Sequence, residues 1–183
     1  MNKKPLFVIF IALILLAVFG VLSFVIREQQ SEEEKESAAA FDPLNATYNI
    51  EGQPVTLVNR KSEVEAAPGS AIKIQTMIFG EPTIGDINND GRPDAAFIIV
   101  QNPGGTGTFY YIAAVINTPT GAIGTNGILL GDRIAPQTVE ITKGRIIANY
   151  ADRKPDEPFS TPPSIGISKY IKFNGSQLEE VKI

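Results

Sequence analysis

Between Leu6 and Ile26 every residue except Gly20 and Ser23 is apolar. A helix rising about 1.5 Å per residue covers roughly 30 Å over such a run, the hydrocarbon thickness of a bilayer. A helix that lies in water needs a polar face, and this stretch offers none. The run therefore predicts one N-terminal transmembrane helix at 6–26, with a short leading segment on one side of the membrane and a long trailing part on the other. A secretory signal has a shorter apolar core with a small-residue cleavage site close behind. Here the small cluster Ala38-Ala39-Ala40 lies well beyond the run, so an uncleaved signal-anchor is expected. Lys3 and Lys4 lead the run, whereas Arg27 is followed by Glu28, Glu32, Glu33, Glu34 and Glu36. Basic flanks stay on the cytoplasmic side. The expected topology is single-pass in the cytoplasmic membrane, with residues 1–5 inside and the C-terminal part outside. Residues 27–40, rich in Glu, Gln, Ser and Ala, read as an acidic, solvated linker.

Two absences narrow the chemistry. The chain has no Cys and no His. That excludes disulfides, thiolate metal sites, thiol catalysis, and the usual general base and transition-metal ligand. Metal binding is left to oxygen donors, which favour hard cations. The formal charge of the whole chain is −4. Lys3 and Lys4 stand outside the part from Arg27 onward, which holds 14 basic and 20 acidic residues and so carries −6. An acidic exterior with no basic cluster argues against a nucleic-acid partner.

From Phe41 to Ile183 the sequence reads as short strands between turn clusters. Tyr48–Ile50 and Val55–Val58 flank Glu51-Gly52-Gln53-Pro54, a hairpin pattern. Ala71 to Phe79 alternates Ile72, Ile74, Thr76 and Ile78 with Lys73, Gln75 and Met77, as a half-buried strand does. Ala95–Val100 and Phe109–Ile116 are apolar on both faces, the mark of central strands. Further strands are expected at Ile128–Leu130, Val139–Ile141, Ile146–Tyr150, Ile165–Phe173 and Leu178–Val181, with turns at Thr142-Lys143-Gly144 and Asn174-Gly175-Ser176. No stretch of this part sustains a helical period, and 16 Gly and 13 Pro punctuate the chain. The expected class is all-β, a sandwich or an irregular barrel over residues 41–183.

One loop in this domain carries chemistry. Oxygen-bearing side chains stand at positions 1, 3, 5 and 9 of Asp86-Ile87-Asn88-Asn89-Asp90-Gly91-Arg92-Pro93-Asp94, with glycine at position 6. Alternate side chains of such a loop point inward, and the carbonyl at position 7 (Arg92) completes the set around a hard cation. Gly91 permits the positive-φ turn that folds the later ligands back. The metal-ligand set read from this spacing is Asp86, Asn88, Asp90, Arg92 and Asp94, and the expected cofactor is calcium. A polar turn ahead of a buried strand uses the same residues. Position 12 is Phe97, so the loop lacks the bidentate Glu of an EF-hand and leads into a strand. With Phe79-Gly80 before it, the segment Phe79–Val100 resembles one FG-GAP repeat, the calcium-loop unit of integrin-type β-propellers. That resemblance implies the same four side-chain ligands and the Arg92 carbonyl. No second copy of the loop occurs, whereas a propeller needs several blades. The chain also resembles small membrane-anchored bacterial proteins with Gly-Gly-x-Gly-Thr-Phe-Tyr-Tyr and Gly-Asp-Arg-Ile-Ala-Pro-Gln-Thr segments, a likeness that brings no activity with it.

Other candidates are plainer. Asn102–Thr108 is glycine-rich but lacks the Lys-Ser/Thr of a phosphate loop, and it joins two strands. Phe109, Tyr110 and Tyr111 read as core of a central strand. Asp132-Arg133 and Asp152-Arg153 invite bracing between loops. Asp132, Asp152 and Asp156 would serve a carboxylate hydrolase of envelope glycans or peptidoglycan if two of them faced one cleft. The leading expectation is a membrane-anchored, extracytoplasmic calcium-binding module that meets a protein or glycan partner. The hydrolase is the alternative.

Overall fold

The computed structural model describes residues 18–30 and 41–182, in two compact units, Met1–Ala40 and Phe41–Ile183. In the first unit residues 18–30 form a helix, α1. Its apolar side chains, among them Phe19, Leu22 and Phe24, are exposed. Residues 6–17 of the expected anchor and 31–40 of the expected linker lie outside the described residues. Among the described residues no helix is long and apolar enough to cross a membrane.

The second unit is all-β. Its strands are β1 (Thr47–Ile50), β2 (Gln53–Thr56), β3 (Lys61–Glu65), β4 (Lys73–Gly85), β5 (Asp94–Asn102) and β6 (Phe109–Thr118). They continue with β7 (Gly121–Gly124), β8 (Ile128–Asp132), β9 (Ala135–Thr142), β10 (Arg145–Asp152), β11 (Ile165–Phe173) and β12 (Leu178–Glu180). The larger sheet runs β3-β4-β5-β6. The far edge of β6 is shared: β7 pairs with Val115–Thr118 and β8 with Phe109–Ile112. A second sheet has the order β12-β11-β10-β9, and β1-β2 stands as a separate hairpin.

The alternation of β5 and β6 explains why both look apolar throughout. Ala96, Ile98, Ile112, Ala114 and Ile116 share a core with Ile146, Ala148, Tyr150, Ile171 and Leu178 of the second sheet. The intervening residues Ala95, Phe97, Ile99, Tyr111, Ala113 and Val115 pack with Tyr48, Ile50 and Leu57 of the hairpin segment. A strand covered on both faces has no polar side to display. Cross-strand partners are apolar throughout this stretch, with Phe97 opposite the small Ala113 and Ile98 opposite Ile112. The Tyr48 and Phe97 rings meet edge-on, 5.5 Å between centroids and 87° between planes. The hairpin approaches so closely that a Cβ on Gly124 would overlap the Thr47 carbonyl oxygen. Only glycine fits that contact.

Two strands fall outside the alternation pattern. Strand β3 carries Lys61, Glu63 and Glu65 and lies at the sheet edge, where charge discourages pairing with other chains. Strand β7, Gly121-Ala122-Ile123-Gly124, is short and glycine-flanked. The first hairpin turn is Glu51-Gly52 alone, at φ 52° and 83°, and Gln53 and Pro54 already belong to β2. Lys143-Gly144, at φ 51° and 67°, joins β9 to β10 in the same way. Positive φ at both central residues is the two-residue turn whose twist suits adjoining strands.

Candidate metal centre

The Asp86–Asp94 loop connects β4 to β5 and is closed by the pairing of Gly85 with Asp94. Within it, side chains fold onto three consecutive backbone amides. Asp86 Oδ1 accepts from the Asp90 amide at 3.2 Å and Oδ2 from the Gly91 amide at 2.9 Å. Asn88 Oδ1 accepts from the Asp90 amide at 3.1 Å, and Asp90 Oδ1 from the Arg92 amide at 2.8 Å. Gly91 stands at φ 85° and Asn89 at φ 60°, which lets the chain bend tightly enough to aim these amides inward.

Charge in the loop is partly met from within. Asp90 Oδ2 receives the Asn88 side-chain amide at 2.8 Å and the Arg92 guanidinium at 2.5 Å. Partial burial pushes the Asp90 carboxyl upward, but the Arg92 amide, Asn88 and the Arg92 guanidinium outweigh it and hold the group below its ordinary value. Asp94 is placed differently. It is fully buried, with Oδ2 accepting from the Ile87 amide and Oδ1 from the Asn117 amide, each at 2.8 Å. Burial raises its carboxyl above the usual range despite these bonds.

The structure thus gathers Asp86, Asn88 and Asp90 over one bend and turns Asp94 into a clamp between the loop and β6. Among the described residues no group of three acidic side chains is close enough to hold a metal ion. Asp86, Asn88 and Asp90 present two carboxylates and an amide oxygen over this bend, hard oxygen atoms of the kind a calcium ion would take. A carboxylate oxygen bonded to one amide keeps further lone pairs, so these bonds do not exhaust the donors. The guanidinium of Arg92 stands against Asp90 and meets part of the loop's charge from within the chain.

Asn117 has no signal in the sequence. Besides its amide bond to Asp94, its carbonyl accepts from Arg92 Nε at 3.0 Å, and its side-chain Oδ1 is buried without a partner. A buried oxygen of this kind is uncommon. Beside the loop opens a cavity of about 530 Å³, walled by Ile87, Asn88 and Asn89 together with the ends of β6 and β11 and two hairpin turns. The glycine-rich Asn102–Thr108 segment sits at the other end of β5 and turns the chain into β6.

The two Asp-Arg pairs do come together. Asp132 accepts from its neighbour Arg133 through both oxygens, at 3.1 and 2.8 Å, and from the Thr108 amide at 2.8 Å. Arg153 donates to the Arg133 carbonyl at 2.8 Å, and Asp152 accepts from the Arg153 amide at 2.7 Å. The Arg133 guanidinium lies 3.8 Å above the Phe159 ring, and that of Arg153 lies 5.7 Å from it. Asp156 is exposed. The Arg133 hydrogen bonds hold the Asp132 carboxyl below its ordinary value of 3.8. A general acid needs the opposite shift.

The Asp132 shift carries a pH dependence with a definite sign. A depressed folded-state pKa stabilises the fold above the unfolded value and is lost as pH falls through the folded one. Asp132→Asn is therefore expected to cost stability at pH 7 and progressively less below pH 3.8. Denaturant unfolding of both proteins at pH 7 and pH 3 checks this, and an equal difference at both pH values refutes the bracing role. Comparison with known proteins gives no match among family models, curated proteins or solved structures, so the reading of this site rests on its own residues.

Proposed function

We propose that this chain is a membrane-anchored binding module whose Asp86–Asp94 loop takes calcium outside the cytoplasmic membrane. A sandwich is favoured over an irregular barrel in this reading by the core that draws residues from both sheets. The observation that carries the calcium assignment is the convergence of Asp86, Asn88 and Asp90 on the amides of residues 90–92. Calcium would draw its ligands from Asp86, Asn88, Asp90, the Arg92 carbonyl and Asp94, and would supply charge neutralisation and rigidity. The anchor at 6–26 is supported by the uncharged sequence, apolar except at Gly20 and Ser23, and by the exposed apolar side chains of α1. The partner is a protein or glycan of the cell exterior, and nucleic acid is not part of the proposal. Catalysis is the weaker reading, because the Arg133 hydrogen bonds hold the Asp132 carboxyl below its ordinary value, the opposite of what a general acid needs.

The test is a thermal melt of the full chain in chelator, then in calcium and in magnesium. Extracellular calcium modules bind at about 10⁻⁴ to 10⁻³ M, so roughly 10 mM calcium should add about 1.4–2.7 kcal/mol. That corresponds to a rise of about 3–10 °C. Asp86→Ala and Asp90→Ala should abolish the calcium response, and Asp132→Ala should keep it. A response that survives both loop substitutions assigns the ion elsewhere.

A further inference from the structure

We propose that the cavity beside the loop is a ligand site for a small molecule carrying one anionic group on an apolar body. It names a ligand class for the binding module above and rests on that reading for its role, but its geometry does not depend on a bound cation. The volume of about 530 Å³ falls in the range of small-molecule sites. Ile87 and Ile116 are buried residues that line it, and the half-buried Phe173 adds an aromatic surface. Its rim comes from two turns, one bearing Lys143 and the other just beyond Lys172 and Phe173.

Charge sets the ligand class. From Phe41 onward the sequence holds 12 Lys and Arg against 15 Asp and Glu. Yet two lysines and no carboxylate line the cavity. Among the described residues the side chains of Lys143 and Lys172 form no ion pair, whereas Lys73, Lys154 and Lys169 each pair with a glutamate. An ammonium group without a protein partner at a concave site is open to a carboxylate or a phosphate. The wall is also closely built. A Cβ on Gly144 would overlap the Asn89 side-chain nitrogen, so the Lys143-Gly144 turn is pressed against the Asp86–Asp94 loop. The same contact ties the shape of the cavity to the loop.

The experiment is a two-dimensional amide NMR titration of the full chain with benzoate, phenyl phosphate and benzyl alcohol, each in chelator and again in calcium. The expected result is saturable movement of the Asn89, Gly144 and Ser176 amides with an anion, and at least tenfold weaker binding of the alcohol. Benzoate against phenyl phosphate tells which anionic group the site prefers. Lys143→Gln with Lys172→Gln should weaken anion binding about tenfold or more, the usual worth of a charged hydrogen bond, and Lys61→Gln on β3 should leave it unchanged. Equal binding of the alcohol, no saturable shift with either anion, or full affinity in the double variant overturns the proposal. Because the chelator arm reads the cavity without a cation, failure there is distinguishable from failure of the calcium assignment.

Discussion

Asp94→Ala is expected to lower the unfolding free energy by about 2–4 kcal/mol, measured by denaturant unfolding in chelator so that no cation contributes. Its carboxylate is the partner of the Ile87 and Asn117 amides, one in the loop and one at the end of β6. Alanine leaves both donors without that acceptor at a fully buried position, at about 1–3 kcal/mol each. Part of this is offset, because the substitution also relieves the cost of keeping an ionised group out of water. The raised carboxyl records that cost. Two unpaired amides outweigh that cost, because the wild-type bonds offset part of it. Asp94→Asn should lose less, because its side-chain oxygen can still accept one of the two bonds. A loss below about 0.5 kcal/mol, the level of an ordinary surface substitution, would contradict the clamp role.

Phe97→Ala should cost about 3–5 kcal/mol, the range for deleting a buried aromatic ring. The ring is almost wholly buried, opposite Ala113 and edge-on to Tyr48. Its removal leaves a cavity that the rigid central sheet cannot collapse, and it strips the β1-β2 hairpin of its main aromatic contact. Hydrogen exchange should therefore quicken first at residues 47–56, ahead of β10 and β11 in the second sheet. Val64→Ala, at an exposed position of β3, is the control and should stay within about 0.5 kcal/mol. Uniform acceleration across both sheets, or a loss no greater than that of Val64→Ala, would show that the hairpin does not depend on Phe97.

Much of this protein was legible in the sequence. Period-two alternation marks Ile74, Thr76 and Ile78 as the inward face of β4, whereas Ile72, expected with them, lies before the strand and is exposed. The apolar runs after Asp94 and Thr108 mark central strands. The turns at Lys143-Gly144 and Asn174–Ser176 arise from residues that accept positive φ or bend locally. The oxygen donors of the Asp86–Asp94 loop are equally local, because position within one tight bend decides which side chains meet. All of these depend on neighbours along the chain, where stereochemistry acts directly.

Tertiary structure decided the rest. Spacing makes Asp94 the fourth side chain of the expected ligand set, and only the pairing of β5 with β6 brings the Asn117 amide to its carboxylate. Nothing around Asn117 announces that its backbone would hold both Asp94 and Arg92 across more than twenty residues. Strand β3 breaks the apolar rule because an edge need not be buried, and its place at the edge is known only once the strand order is known. The Asp132 and Asp152 segments meet because β8 leads straight into β9, which pairs with β10, and the cavity exists because two hairpin turns close on one loop. The sequence by itself determined the all-β class, the gathering of oxygen-bearing side chains in one loop and the apolar N-terminal run, since these arise within short stretches of chain. Which carboxylates are free, which are clamped and where a ligand finds room depend on contacts between distant segments, and those were decided by the order in which the strands pair.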